Sequence, residues 1–211
     1  MSLSIGRGKK VLFIGDSITD AGRAGDPEGV GQGYVRMVRD WLLAADPNGA
    51  PVVVNRGISG HKVTDLAERW ERDVIAECPD VLSIFIGVND VWHDFYPVPG
   101  NGVPLAKYRE VYVRLLERTV TALPPCALVL CEPSVLWEPV QKEAGERVRD
   151  YVAAVHEIGK QFGRRVIPLN AAFEAVRAAR PDVAWTTDGV HPTSAGHMLI
   201  ARAWLEGVGA V

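Results

Sequence analysis

The chain has 211 residues, 47% of them hydrophobic and 23% charged, proportions that exclude collagen-like, low-complexity and disordered classes. Its 23 Lys and Arg against 26 Asp and Glu leave a formal charge of -3, so no broad positive field draws in a phosphate backbone or an anionic lipid surface, and neither nucleic acid nor membrane is expected as a partner. The length predicts one domain over residues 1–211.

In chain order, the polar Met1 to Lys10 stretch lacks the apolar core and cleavage site of a secretion signal. No later apolar run is long enough to span a bilayer, so the expected location is the cytoplasm. Val11-Leu12-Phe13-Ile14, Val52-Val53-Val54, Val81 to Ile86, Ala127 to Leu130 and Val166-Ile167 are short runs without alternation, rich in β-branched residues. These predict strands buried on both faces.

Between the runs, apolar residues recur at intervals of three and four. The sets are Val63, Leu66, Trp70, Val74 and Cys78, then Leu105, Tyr108, Val111, Tyr112, Leu115 and Leu116, then Val148, Val152, Val155, Ile158 and Phe162, each a helix face. A last helix is predicted from Pro192 to Leu205, with Pro192 in its first turn. Alternating strands and helices imply right-handed crossovers and a three-layer α/β/α domain around a five-stranded parallel sheet. Residues 94–104, aromatic and proline-rich, form the longest predicted loop, of a kind that often covers a site. Cys78 and Cys131, in or beside apolar runs, read as reduced core thiols, and Cys126 and Cys131 lack zinc-site spacing.

In an open parallel sheet the ligand crevice lies beyond the carboxyl ends of the strands, and four polar clusters are expected there. After the first strand, Gly15-Asp16-Ser17 offers a hydroxyl at a sharp exit, although Ser17 read alone is equally a helix cap. After the second, Asn55-Arg56-Gly57-Ile58-Ser59-Gly60 can aim backbone N–H groups at an anion, or be only a tight turn. After the third, Gly87-Val88-Asn89-Asp90 places the Asn89 carboxamide, a neutral donor suited to a developing oxyanion, at the same edge. Finally, Asp188-Gly189-Val190-His191 spaces a carboxylate three residues before an imidazole, so that it can hold Nδ1–H and leave Nε2 to take a proton. Each cluster is weak alone; together they supply nucleophile, base, orienter and oxyanion donors, the parts that acyl transfer needs.

These blocks, Gly-Asp-Ser at 15–17, Gly60, Gly-x-Asn-Asp at 87–90 and Asp188-x-x-His191, are in the order of the SGNH hydrolases, also called the GDSL esterase/lipase family, and the chain resembles that family from Val11 to Leu205. The first block reads GDSI rather than GDSL, a change that leaves the nucleophile untouched. The resemblance implies a flavodoxin-like sheet of order 2-1-3-4-5, Ser17 as nucleophile, His191 as base and acid, and Asp188 as its orienter. It also implies that Ser17 N–H, Gly60 and Asn89 bind the oxyanion, with no metal and no cofactor.

Within the family, FIGDSITDAGR, NRGISG, GVNDVW and DGVHPTSAGHMLIARAWL are similar to intracellular bacterial esterases that deacetylate xylo-oligosaccharides. That likeness implies a small acetylated oligosaccharide as substrate. Trp92 and His93, directly after the Asn89 block, are substrate-binding candidates because an aromatic face suits a sugar ring, and Arg56 on the adjacent loop is another; Trp92 read alone is equally packing under the long loop. Asp16 and Asp90 are expected to support loop hydrogen bonds rather than react. Three alternatives stay open: a lysophospholipase or thioesterase with a longer acyl pocket, a metal-dependent hydrolase using Asp16, Asp90, Asp188 and His191, and a non-catalytic carbohydrate-binding module. A homo-oligomer is also compatible with the sequence, with Trp137 as a candidate for an interface or a rim of the site.

Overall fold

The computed structural model describes residues 3, 5–96, 99–133 and 142–211. Trp137 and residues 97 and 98 of the long loop lie outside the described residues. In chain order the elements are β1 (Lys10–Gly15), α1 (Ser17–Asp20), α2 (Tyr34–Ala45), β2 (Val52–Gly57), α3 (Val63–Trp70), β3 (Val81–Phe85), α4 (Val88–Trp92), α5 (Leu105–Ala122), β4 (Ala127–Cys131), α6 (Lys142–Gln161), β5 (Val166–Ile167), α7 (Leu169–Ala179) and α8 (Ser194–Val208).

All five strands pair in parallel in the order β2-β1-β3-β4-β5, as expected. The register decides where the chemistry falls. Gly15 pairs with both Gly57 and Phe85, so β1, β2 and β3 end level and release their following loops at one edge. The three interior strands β1, β3 and β4 are almost wholly buried, which is why their sequences run apolar without alternation.

Right-handed crossovers put α3, α5 and α6 on one face of the sheet, while α2 packs against α8, with α7 beside it, on the other. On the α2–α8 face, Phe13 meets Tyr34 edge-on with ring centroids 5.7 Å apart and Trp204 at 4.9 Å. The Trp204 indole N–H donates to the buried Ser83 hydroxyl at 3.0 Å. On the opposite face the Trp70 indole N–H donates to the Thr119 hydroxyl at 3.0 Å, joining α3 to α5. Each buried indole thus has the partner it needs to be buried without penalty.

Three sequence expectations are corrected. The helix predicted through Val63 to Cys78 is α3 followed by a π-helical turn at Glu71–Ile75, and Cys78 then turns out of the core with φ 48 and is exposed. It is Cys126 that joins Cys131 in the interior. The last helix begins at Ser194, with the Thr193 hydroxyl accepting the Gly196 N–H as its cap; Pro192 stands before it, bridged to Thr186. In addition, α7 separates β5 from the Asp188–His191 turn, which therefore does not follow a strand directly.

The seam between α2 and α8 carries a titratable group. His197 Nδ1 accepts the Tyr34 N–H at the start of α2 at 3.2 Å, which fixes the neutral ring with its proton on Nε2. Burial first, and then the charge of His191, lower its pKa from 6.5 to about 4. Because the folded value lies below the unfolded one, the unfolded chain takes up the proton first. The stability associated with His197 is complete above about pH 6.5 and is lost as pH falls towards about 4. Urea unfolding across that window should show the wild type losing on the order of 2 kcal/mol more than His197→Asn, whose carboxamide oxygen accepts the same N–H without titrating. Parallel pH curves for the two proteins would remove His197 from the acid response.

Candidate active site

Ser17 stands at the first position of α1, directly beyond β1, where Asp16 caps the helix by accepting the Ile18 N–H at 3.0 Å. The exit is tight because a Cβ on Gly15 would lie 2.3 Å from the Phe85 carbonyl oxygen and 2.4 Å from the Thr19 hydroxyl. Only glycine lets β1 turn there against the end of β3.

Ser17 Oγ lies 2.9 Å from His191 Nε2, and His191 Nδ1 lies 2.7 Å from Asp188 Oδ2. The turn is built to hold this line. Asp188 Oδ1 accepts the backbone N–H of Val190 at 3.0 Å and of His191 at 2.7 Å, while the His191 carbonyl accepts the Thr187 N–H at 2.8 Å. Burial acts to raise the Asp188 pKa, but the hydrogen bonds from His191 backbone and ring outweigh it and leave the carboxyl below its ordinary value. An ionised Asp188 can only accept, so Nδ1 carries the imidazole proton and Nε2 is left to accept from the serine hydroxyl. The His191 and Asp188 side chains are 49% and 52% exposed, so solvent water reaches the base.

The second loop is fastened to this corner from several sides. Asn55 donates to the carbonyls of Thr19 at 2.6 Å and Val30 at 2.9 Å and accepts the Gly57 N–H at 2.8 Å. The Ile58 N–H reaches the Gly15 carbonyl at 3.1 Å, and Asp20 accepts both the N–H and the hydroxyl of Ser59. Gly60 then takes a left-handed φ of 81, which a residue with a side chain resists. The Asn89 carboxamide, buried at the start of α4, donates to the carbonyl of His61, the residue after Gly60, at 3.1 Å. Ser17, the Gly60 turn and Asn89 are therefore tied into one network.

Asp16 and Asp90 are almost completely buried, and burial pushes their pKa values up to about 7 and about 8. Asp90 accepts the Val63 N–H at the start of α3 at 3.0 Å. Both carboxyls thus serve backbone hydrogen bonds. Among the described residues no group of three or more His, Cys, Asp or Glu side chains is arranged to hold a metal ion.

The substrate-binding candidates are placed less uniformly. Trp92 is half-buried and packs at a tilt of 37° against the exposed Tyr96, with ring centroids 5.5 Å apart. His93 beside it keeps a buried Nδ1 without a hydrogen-bond partner, and burial lowers its pKa. The Arg56 guanidinium is ion-paired with Glu77, so it is the backbone of Arg56 that takes part in the loop. Lys62 Nζ reaches the Asn101 carbonyl at 2.9 Å and joins the Gly60 turn to the long loop. One contributor has no motif in the sequence, Arg69, buried beneath the Gly60 turn; Asn55 opens the second cluster, but the bonds its side chain makes carry no signal there.

Comparison with known proteins bears on this geometry. The model of the GDSL-like lipase/acylhydrolase family matches residues 13–199. A curated acetylxylan esterase from Geobacillus stearothermophilus is 40% identical over 219 aligned positions, covering 98% of this chain and 97% of that one. The crystal structure of Axe2, an acetylxylan esterase from the same organism, superposes with a TM-score of 0.87 at 38% identity, over 98% of this chain and 97% of the other. The structure of LAE5, an alpha/beta hydrolase enzyme from the metagenome of Lake Arreo, Spain, matches at 31% identity with a TM-score of 0.86 and 96% coverage of both chains. Among the described residues no helix is long and apolar enough to cross a membrane.

Proposed function

The chain belongs to the GDSL-like lipase/acylhydrolase family, and from that premise we propose that this carboxylic ester hydrolase removes acetyl groups from xylo-oligosaccharides through an acyl-enzyme on Ser17. The observation that carries this reading is the line from Ser17 Oγ through His191 to Asp188, with links of 2.9 and 2.7 Å. The relatives named acetylxylan esterase supply the substrate class.

In this mechanism Ser17 Oγ attacks the ester carbonyl carbon while its proton passes to His191 Nε2. The carbonyl oxygen becomes an oxyanion, received by the N–H groups of Ser17 and Gly60 and by the Asn89 carboxamide. When the C–O bond to the sugar breaks, His191 returns the proton to the departing sugar oxygen, leaving acetyl on Ser17. Water, reaching the half-exposed imidazole, loses a proton to Nε2, attacks the acetyl carbon and releases acetate, and Ser17 recovers its proton from His191. Asp188 orients the ring and offsets its charge in both halves. The tilted pair of Trp92 and Tyr96, beside His93, offers an apolar face suited to a sugar ring.

The test is hydrolysis of p-nitrophenyl esters of increasing acyl length, with EDTA present, followed by acetate release from acetylated xylo-oligosaccharide. Activity should fall steeply beyond short acyl groups, survive EDTA and be matched by release of acetate from the sugar. Preference for long acyl chains would move the substrate to lipids or thioesters. Binding of the sugar with no turnover of any ester would make the chain a carbohydrate-binding module instead.

A further inference from the structure

Arg69, on α3, is 5% exposed, and its guanidinium reaches three parts of the site at once. Nη2 donates to the Gly15 carbonyl at 3.1 Å, at the end of β1 two residues before Ser17. Nη1 donates to the Arg56 carbonyl at 2.7 Å, at the end of β2, and to Asp73 Oδ2 at 2.9 Å. Nε donates to His61 Nδ1 at 3.1 Å. His61 in turn follows Gly60, and its carbonyl accepts the Asn89 carboxamide at 3.1 Å.

The chemistry of the pair fixes the state of His61. A guanidinium has donors only, so Nδ1 must be the bare nitrogen, and the ring is neutral with its proton on Nε2. Burial, and then the Arg69 charge, lower the His61 pKa in keeping with that state.

A buried ion pair with Asp73 would by itself be weak grounds for keeping a cation here, because desolvation offsets the attraction. Apart from Asp73, every acceptor of Arg69 named above belongs to a strand end or turn that carries the site. The planar fork supplies several donors in fixed directions from one point, which the single ammonium of a lysine cannot do.

We propose that Arg69 is a positioning residue for the oxyanion-binding groups: through Gly15, Arg56 and His61 it sets the Gly60 N–H and the Asn89 carboxamide relative to the Ser17 hydroxyl. This rests on the serine-esterase reading, though not on xylo-oligosaccharide as the substrate. Donors that must meet a charge only in the transition state lose their value when the turn that bears them drifts, and the loss falls on kcat rather than on KM.

The experiment measures kcat and KM for p-nitrophenyl acetate with the full chain and its variants, with thermal unfolding to verify folding. Arg69→Lys should lower kcat about 100-fold, with KM changed by less than about threefold. His61→Ala, which cuts only the last link, should lower kcat about tenfold, and His61→Asn, whose carboxamide oxygen can accept the Nε–H, should restore most of it. Asn89→Ala removes one of the positioned donors, so in that background Arg69→Lys should cost less than about tenfold more. The His61 and Asn89 variants, singly and combined, make the same cycle if Arg69→Lys does not fold. Wild-type kcat in folded Arg69→Lys or in His61→Ala, or losses that add fully to that of Asn89→Ala, would overturn the proposal. Ser17→Ala runs beside them. If it is inactive while the Arg69 and His61 variants are unimpaired, the positioning role alone falls; if it remains active, hydrolysis does not pass through Ser17 and the serine reading falls with it.

Discussion

Ser17→Ala should lower kcat for a short-chain ester by about 10⁴- to 10⁶-fold while leaving the fold in place. The substitution removes one oxygen from a partly exposed position, where it hydrogen-bonds His191 Nε2. The Asp16 cap on the Ile18 N–H, the Asn55 bonds and the packing of β1 do not involve the hydroxyl. Unfolding temperature should therefore stay within a few degrees of the wild type, since changes away from core and caps are typically within about 0.5 kcal/mol. The backbone N–H groups and Asn89 remain, so a residual rate above the uncatalysed reaction is expected rather than none. A phosphonate ester that labels active serines should modify Ser17 in the wild type, as read by peptide mapping, and leave the variant unmodified. Retention of more than about a hundredth of wild-type kcat would show that another group makes the bond to the acyl carbon.

The sheet was readable from sequence because β1 and β3 are buried on both faces, and a short run of β-branched residues has few other ways to be satisfied. The clusters at the strand ends followed from the same topology, since a parallel sheet gathers those loops at one edge. What the sequence did not disclose depends on partners without a side-chain signature. Arg69, within an otherwise amphipathic helix, looks like a solvated charge, and its acceptors at Gly15 and Arg56 are backbone carbonyls. Asn55 has the same character: its donors meet the carbonyls of Thr19 and Val30, a long way off in sequence. Apolar spacing puts Cys78 on the helix's buried face, but a π turn shifts the phase of that face before the chain turns outward, and spacing alone cannot anticipate such a turn.

Buried acids and an imidazole also set limits that composition conceals. Burial raises the pKa of Asp16 and Asp90 from 3.8 to about 7 and about 8, so the stability linked to them is complete below about pH 4 and is lost as pH rises towards those folded values. His197 works in the opposite sense at the acid end. Between about pH 4 and 6.5 the two responses therefore oppose each other: as pH rises the α2–α8 seam gains stability, while the loops that bear Ser17 and Asn89, which hold Asp16 and Asp90, lose it. This follows from groups that take no part in the proton transfers of the reaction.

Asp188→Asn should cost about 10⁴-fold in kcat, more than the loss of charge alone would suggest. The aspartate performs two tasks with two oxygens. Oδ1 accepts the N–H groups of Val190 and His191 and so shapes the turn, and Oδ2 accepts from His191 Nδ1. A carboxamide can keep the first task with its oxygen, and the turn should survive, stiffened by the Thr187 N–H to His191 carbonyl bond. Its NH₂ then faces Nδ1 and can only donate, which drives the imidazole proton to Nε2. A protonated Nε2 cannot accept from Ser17, so the geometry at 2.9 Å persists with the wrong tautomer. Asp188→Ala, by contrast, loses the turn as well and leaves the ring free to rotate. Steady-state kinetics with p-nitrophenyl acetate, read beside the unfolding temperature of both variants, separates the cases. Asp188→Asn should be nearly as stable as the wild type and almost inactive, and Asp188→Ala less stable. If Asp188→Asn kept kcat within tenfold of the wild type, the carboxylate would be only a turn residue, and His191 would hold its tautomer without it.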